Sequence, residues 1–190
     1  GEPKDFEDYV YLSQLSQAFG MDIAISAQRG SRPRSMGSLY WQLNDAWTSI
    51  SWSSIDYLGN KKALHYKLAE IYAPILLGLD KKGDDLYNIW VSNDMQRDID
   101  GRVRIIVEDM EGNQMFAFSE KADVKANSCY RLPNMVSINM LNKKKSECYA
   151  RIIFMEEDTI LSERIHFFTY PKDLELIETE INPNINFLLH

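Results

Sequence analysis

Hydrophobic positions follow two different rhythms along the chain, and the change falls near Pro74. Before it the spacing is helical. Phe6, Tyr9, Leu12, Leu15, Phe19 and Ile23 recur every three or four residues, one stripe of an amphipathic helix. Pro3 stands near its start, where a missing N–H costs little, and the pattern predicts an end between Gly30 and Pro33. Gly20 weakens this helix by about 1 kcal/mol relative to Ala without breaking it. Leu64, Leu68, Ile71 and Ile75 form a second stripe, with Asn60 placed to cap it and Pro74 to end it. Between the two, residues 36–41 read as a short buried strand. Helix, strand, long loop and helix is the order of an α/β unit.

After Pro74 the period becomes two. Tyr87, Ile89 and Val91 alternate with Asn88 and Ser92, and Val103, Ile105 and Val107 with Arg102, Arg104 and Glu108. Further strands are predicted over 115–124, 129–138, 148–155 and 160–168. Turns separate them at Glu111-Gly112-Asn113, at Asn142 with its lysines, and at Glu156-Glu157-Asp158. About six or seven antiparallel strands without helices predict an immunoglobulin-like β-sandwich. Residues 174–181 offer one more strand before Asn182-Pro183-Asn184. The reading is therefore an α+β chain in three parts: 1–75, 76–170, and a linker or start of a further β domain at 171–190. About 75 residues with one strand cannot bury both faces of a parallel sheet. The helices either pack on the sandwich or are the edge of a larger fold, and the second is preferred.

Composition narrows the function classes. With 45% hydrophobic and 26% charged residues in 190, the chain is globular rather than disordered. No apolar run is long enough to span a bilayer, so no membrane partner is expected. A formal charge of −7 argues against nucleic acid. The clusters Arg29/Arg32/Arg34 and Lys143-Lys144-Lys145 read as solvated turns. Cys129 and Cys148 either face each other on neighbouring strands or are two buried thiols. His65 reads as a polar packing contact, His166 as the outward face of a strand, and His190 is terminal. No metal-ligand spacing, catalytic triad or phosphate loop is visible, so no metal and no cofactor are expected. Gly1 is not an initiator methionine, so the start reads as a cut or processed end.

Residues 36–66 carry the candidate chemistry. Trp41, Trp47 and Trp52, with Tyr40, Tyr57 and Tyr66, interleave with Gln42, Asn44, Asp45, Ser51, Ser53, Ser54 and Asp56. Aromatics among amides and carboxylates suit a sugar, whose C–H face stacks on indole while its hydroxyls take fixed hydrogen bonds. The same tryptophans would also serve as ordinary core.

Tyr9-Val10-Tyr11-Leu12-Ser13-Gln14-Leu15 and Met36-Gly37-Ser38-Leu39-Tyr40-Trp41-Gln42-Leu43-Asn44-Asp45-Ala46-Trp47 resemble the β-mannosidases of glycoside hydrolase family 2. So do Ser51-Trp52-Ser53-Ser54-Ile55-Asp56-Tyr57 and Lys62-Ala63-Leu64-His65-Tyr66. The resemblance implies a (β/α)8 barrel that carries catalysis, flanked by β-sandwich domains. It makes residues 1–75 a partial barrel end of two helices and one strand, with 36–41 the last barrel strand and 61–73 its following helix. Barrel active sites lie at the C-terminal ends of strands. Trp41 would then line the glycone subsite as a stacking floor for mannose. Asn44, Asp45 and Trp47 would lie on the loop after it, touching substrate or bracing the loop, and Trp52, Asp56 and Tyr57 would pack that loop against the next helix.

The family's retaining chemistry uses two carboxylates about 5–5.5 Å apart. The resemblance puts both upstream of this chain, and Glu2 and Glu7 sit at a helix start, so no catalytic residue is assigned. The expectation is a C-terminal fragment of an enzyme that cleaves terminal β-mannosyl residues, inactive alone. The alternatives are a free-standing carbohydrate-binding module and a purely structural sandwich, the latter preferred for residues 76–170 alone. Unpartnered helix faces predict self-association through residues 6–23 and 64–75, unless the helices fold back on the sandwich. The absence of any Asn-X-Ser/Thr sequon favours a bacterial periplasmic or cytoplasmic parent over a lysosomal one.

Overall fold

The computed structural model describes residues 2–83, 85–137 and 144–177. Helix α1 spans Phe6–Gly30 and α2 spans Ala63–Ile71. Asp5 caps α1 by accepting a 2.8 Å hydrogen bond from the Asp8 N–H, and Glu7 and Asp8 complement the positive helix end. Asn60 does not cap α2. That position belongs to Lys62, and the Ala63 N–H is satisfied from a distance by Gln14 Oε1 at 3.0 Å. No helix among the described residues is long and apolar enough to cross a membrane.

The two apolar stripes meet different fates. Leu64, Leu68 and Ile71 are buried against Ile25, with Met21 and Tyr40 alongside, so this face is not available to a second copy. Ile75 has left the helix and opens the first strand. The stripe on α1 faces outward, with Phe6 75% exposed and Tyr9, Leu12, Leu15, Phe19 and Ile23 exposed with it. Among the described residues α1 packs mainly on α2 and the sandwich edge, and the narrow face of Ala18, Met21 and Ile25 serves them.

Residues 36–41 form no strand. A parallel strand is held by ladder bonds from its neighbours, and no described segment lies beside this one as a ladder partner. Met36 and Leu39 are exposed, while Tyr40 turns in to the small helical core.

Among the described residues seven strands follow: β1 Ile75–Lys81, β2 Leu86–Asn93, β3 Ile99–Asp109, β4 Gln114–Val124, β5 Ser128–Ser137, β6 Cys148–Glu156 and β7 Thr159–Phe167. They form two antiparallel sheets, ordered β1-β2-β5 and β4-β3-β6-β7. Ile89, Val91, Val103, Ile105, Ile152 and Phe154 meet between them in one core. Strand β1 escaped the sequence pattern because Ile75-Leu76-Leu77 is buried without alternation, one face on the sandwich core and the other toward the helices. Cys129 and Cys148 are not bridged to each other, and burial pushes the Cys129 thiol up to about 11. Residues 174–177 form no strand, while Ile138, Asn142, Lys143, the stretch 178–181, Asn182-Pro183-Asn184 and His190 lie outside the described residues.

The helices dock on the sandwich at its open edge. The Pro74 carbonyl accepts from the Asp94 N–H, which sets the phase: even residues of β1 bond β2, and the backbone carbonyls of odd residues face the open edge. Ser162 Oγ donates to the Ile75 carbonyl at 3.1 Å and Arg164 Nη1 to the Leu77 carbonyl at 2.9 Å. These bonds satisfy an edge that would otherwise invite pairing with another chain. Arg164 also binds Asp22 and Ser26 of α1 and Glu70 of α2.

Arg29 is buried and Arg32 half-buried rather than solvated, and both pair with Asp94; Arg34 is exposed as expected. Arg29 additionally donates to the Ile71 carbonyl at 2.6 Å. Trp90, 2% exposed, lies between helix and sheet. A Cβ on Gly30 would stand 2.9 Å from its ring, and one on Gly78 closer still, so both positions require glycine for this approach. His166 points inward, edge-on to Tyr87 and Phe168, and burial lowers its pKa to about 4.

Candidate functional site

The segment joining the helices is ordered by short ladders rather than by regular elements. Residues 44 and 55 pair in parallel, and Ile55 pairs antiparallel with Lys61. The Asp45 N–H donates to the Ile55 carbonyl at 3.1 Å, the Ile55 N–H to Leu43 at 2.9 Å, and the Lys62 N–H to Ser54 at 2.9 Å. Asp56 closes the hairpin tip. Its carboxylate accepts from the Leu58 and Asn60 N–H groups and from Asn60 Nδ2, which holds it below its ordinary pKa, and Gly59 supplies the positive φ of 88°. Asn60, the expected helix cap, is used here instead.

Inside the loop a carboxylate is enclosed. Asp45 is 6% exposed. Ser51 Oγ donates to Asp45 Oδ1 at 2.6 Å and Ser53 Oγ to Oδ2 at 2.7 Å. Lys62 Nζ donates to Ser53 Oγ at 2.7 Å and approaches Asp45 Oδ2 at 3.4 Å. The serine hydroxyls, Ser51 before Ser53, draw the Asp45 pKa below the ordinary carboxylate range, with Lys62 adding to this. Ser54, fully buried, donates to the Leu43 carbonyl and contacts Tyr40 OH at 2.9 Å and His65 Nδ1 at 3.4 Å. His65 is thus a packing contact. From α1, Gln17 Nε2 donates to the Trp52 carbonyl at 2.8 Å.

The indoles face the other way. Trp41 is 73% and Trp47 71% exposed, and Trp52 and Tyr57, expected to pack the loop on the next helix, are exposed too. The Trp41–Gln42 peptide is cis. Gln42 Nε2 contacts Asp45 Oδ1 at 3.4 Å, and the exposed Asn44 side chain donates to the Asp45 carbonyl at 3.2 Å. Trp41, Asn44, Asp45 and Trp47 therefore share one loop, with the carboxylate inside and the aromatic rings outside. Chemically, such a surface can stack and hydrogen-bond a polar ring. Of the supporting set, Ser51 and Ser53 stood among the polar residues read from the sequence, whereas Lys62, Gln14 and Gln17 were given no role there. Its one local signal is a lysine where a capping side chain belongs.

Comparison with known proteins agrees with this architecture. The model of the mannosidase Ig/CBM-like domain matches residues 85–173. β-Mannosidase B of Aspergillus niger is 31% identical over 116 residues, 53% of this chain and 14% of that protein. The β-mannosidase of Mus musculus is 27% identical over 199 residues, covering 96% of this chain and 22% of its own length. The crystal structure of β-D-mannosidase from Dictyoglomus thermophilum superposes with a TM-score of 0.83 at 23% identity, over 93% of this chain and 21% of that one. The exo-chitosanase of Amycolatopsis orientalis shares the fold at a TM-score of 0.69 and 15% identity, over 86% and 20%. The chain spans about a fifth or less of these relatives. Its helices and sandwich, its match to the Ig/CBM-like domain over residues 85–173 and its likeness along nearly its whole length lead to one statement: the chain is similar to the β-mannosidases of glycoside hydrolase family 2.

Proposed function

We propose that these residues are the C-terminal part of a longer retaining β-mannosidase that hydrolyses terminal β-mannosyl residues, and that Trp41, Asn44 and Trp47 form one wall of its glycone subsite. Asp45 is the internal brace of that wall rather than a sugar contact, since its oxygens are already taken by Ser51, Ser53 and Lys62. In the same reading α1, residues 31–62 and α2 end a (β/α)8 barrel. Residues 36–41 become a strand only beside the strands of the parent, and the exposed stripe of α1 is covered by the rest of that barrel. Isolated, the chain self-associates through this stripe.

The observation that carries the reading is the opposition within one loop: exposed indoles on a frame whose polar side chains are turned in on themselves. A stacking platform needs this combination of open aromatic faces and a rigid support. The second reading, a sandwich that binds sugar by itself, lacks such a platform, because its tryptophan, Trp90, is buried between Gly30 and Gly78. The sandwich is better read as a brace.

In the intact parent, Trp41→Ala is expected to lower kcat/KM about 10- to 100-fold, the loss of roughly 1.5–3 kcal/mol of stacking and burial. Full turnover by that variant overturns the assignment. The chain alone is expected to release no aryl alcohol from an aryl β-mannoside, and turnover abolished by one Glu or Asp change would contradict it.

A further inference from the structure

Lys62 breaks a local rule. The N-cap of a helix favours Ser, Thr, Asp or Asn, whose side chain accepts from the first free N–H groups. A cation there also faces the positive end of the helix dipole. Lys62 makes no capping bond, and the first turn of α2 contains no acidic residue. Its ammonium is instead drawn into the loop, 2.7 Å from Ser53 Oγ, 3.5 Å from Ser51 Oγ and 3.4 Å from Asp45 Oδ2. The helix start is tended by Gln14 of α1. Local violations of this kind are expected where a site, rather than the element itself, is being served.

We propose that Lys62 and Asp45 are positioning residues, a clasp that gives up the natural cap of α2 in order to fix the limbs of the loop bearing Trp41 and Trp47. The clasp joins three segments, residues 42–45, residues 51–53 and the first residue before α2. Both limbs it ties carry exposed indoles that make no core of their own. The hydroxyls of Ser51 and Ser53, with Lys62, hold the Asp45 pKa below the ordinary carboxylate range, which favours the charged form that the clasp uses. The inference rests on the sugar-binding reading of Trp41 and Trp47, which it deepens by naming what holds them.

The test separates a clasp from a stabilising contact, because the two predict opposite consequences. Lys62→Ser installs a better cap and removes the clasp; Asp45→Asn removes the charge while keeping the shape. The 190-residue chain, labelled at its indole nitrogens, is followed by NMR, with signals assigned by single Trp→Phe changes. In Lys62→Ser the thermal midpoint is expected to stay level or rise and the Trp90 signal to stay put. The Trp41 and Trp47 signals should collapse toward free indole, and their response to methyl β-mannoside should weaken at least ~10-fold in apparent Kd. Asp45→Asn should reproduce the indole changes. Dispersed Trp41 and Trp47 signals in both variants would overturn the clasp. Wild-type indoles that ignore methyl β-mannoside, yet collapse in the variants, would keep the clasp and overturn its service to a sugar.

Discussion

The sandwich closes on itself, whereas the helical segment before it does not. Between β1 and β7 the chain supplies both sheets of one core, and Val103, Ile105, Ile152 and Phe154 have no surface left. The helical part gathers Ile25, Leu64, Leu68 and Ile71 in a small core, and leaves its largest apolar stripe and its loop tryptophans open. The contrast is one of supply. Antiparallel strands joined by short turns bring their own partners, whereas the proposed barrel end would need neighbours from elsewhere in the parent. The proposed chemistry sits on the part that leaves these faces open, while the sandwich holds it in place through Arg164, Arg29 and Trp90.

The sharpest way to break this comparison is to hollow the sandwich. Phe154→Ala should cost about 3–5 kcal/mol, since a fully buried ring is lost and the walls relax only in part. Denaturant melts followed by circular dichroism would measure it, and a cost below about 1 kcal/mol would mean that the core is not where this chain stores its stability.

Acid probes the junction instead. His166 is neutral when folded because burial lowers its pKa from 6.5 to about 4. Between these values the unfolded chain binds the extra proton, so stability falls as the pH drops from 6.5 towards 4, by about 2–3 kcal/mol. Arg164 opposes the proton further and Asp22 favours it. Urea midpoints at pH 7, 5.5 and 4.5 should show the slope in the wild type and a flatter one in His166→Gln; equal slopes would remove His166 from the account.

The smallest effect is expected on the open stripe. Leu12→Glu together with Leu15→Glu should change monomer stability by no more than about 0.5 kcal/mol per site, as for other exposed positions. Light scattering should nevertheless change from a concentration-dependent dimer to a monomer. A wild-type chain that stays monomeric at high concentration would show that the stripe has no partner in a second copy.

Six of the strands were legible because period-two alternation is a local property: Val103-Arg104-Ile105 needs no knowledge of its neighbours to read as half-buried strand. β1 was not, because covering both faces of Ile75-Leu76-Leu77 erases the alternation. Arg29 and Arg32 looked solvated, since nothing nearby in sequence announces Asp94 or the Ile71 carbonyl. His166 was placed on the wrong face for a related reason. The edge of β7 turns its even residues onto β1, so Ser162, Arg164 and His166 face inward despite their polarity.

The candidate loop divides in the same way. Its composition of aromatics among short polar residues pointed to a polar ring as ligand, and its motifs pointed to the family, because both are properties of residue type and order. Which of those residues face outward was decided only in three dimensions. Asp45 and Trp47 are equally plausible contacts on paper, yet one is enclosed by two serines and a lysine and the other is open.

By itself, then, the sequence determined where the two helices and six of the strands run, because side-chain periodicity and turn chemistry act over a few residues. Tertiary structure alone decided which stripe is buried, where the arginines find their carboxylates and which side of the loop is left for a ligand. Burial and charge pairing depend on whatever arrives from far along the chain, and no local pattern carries that information.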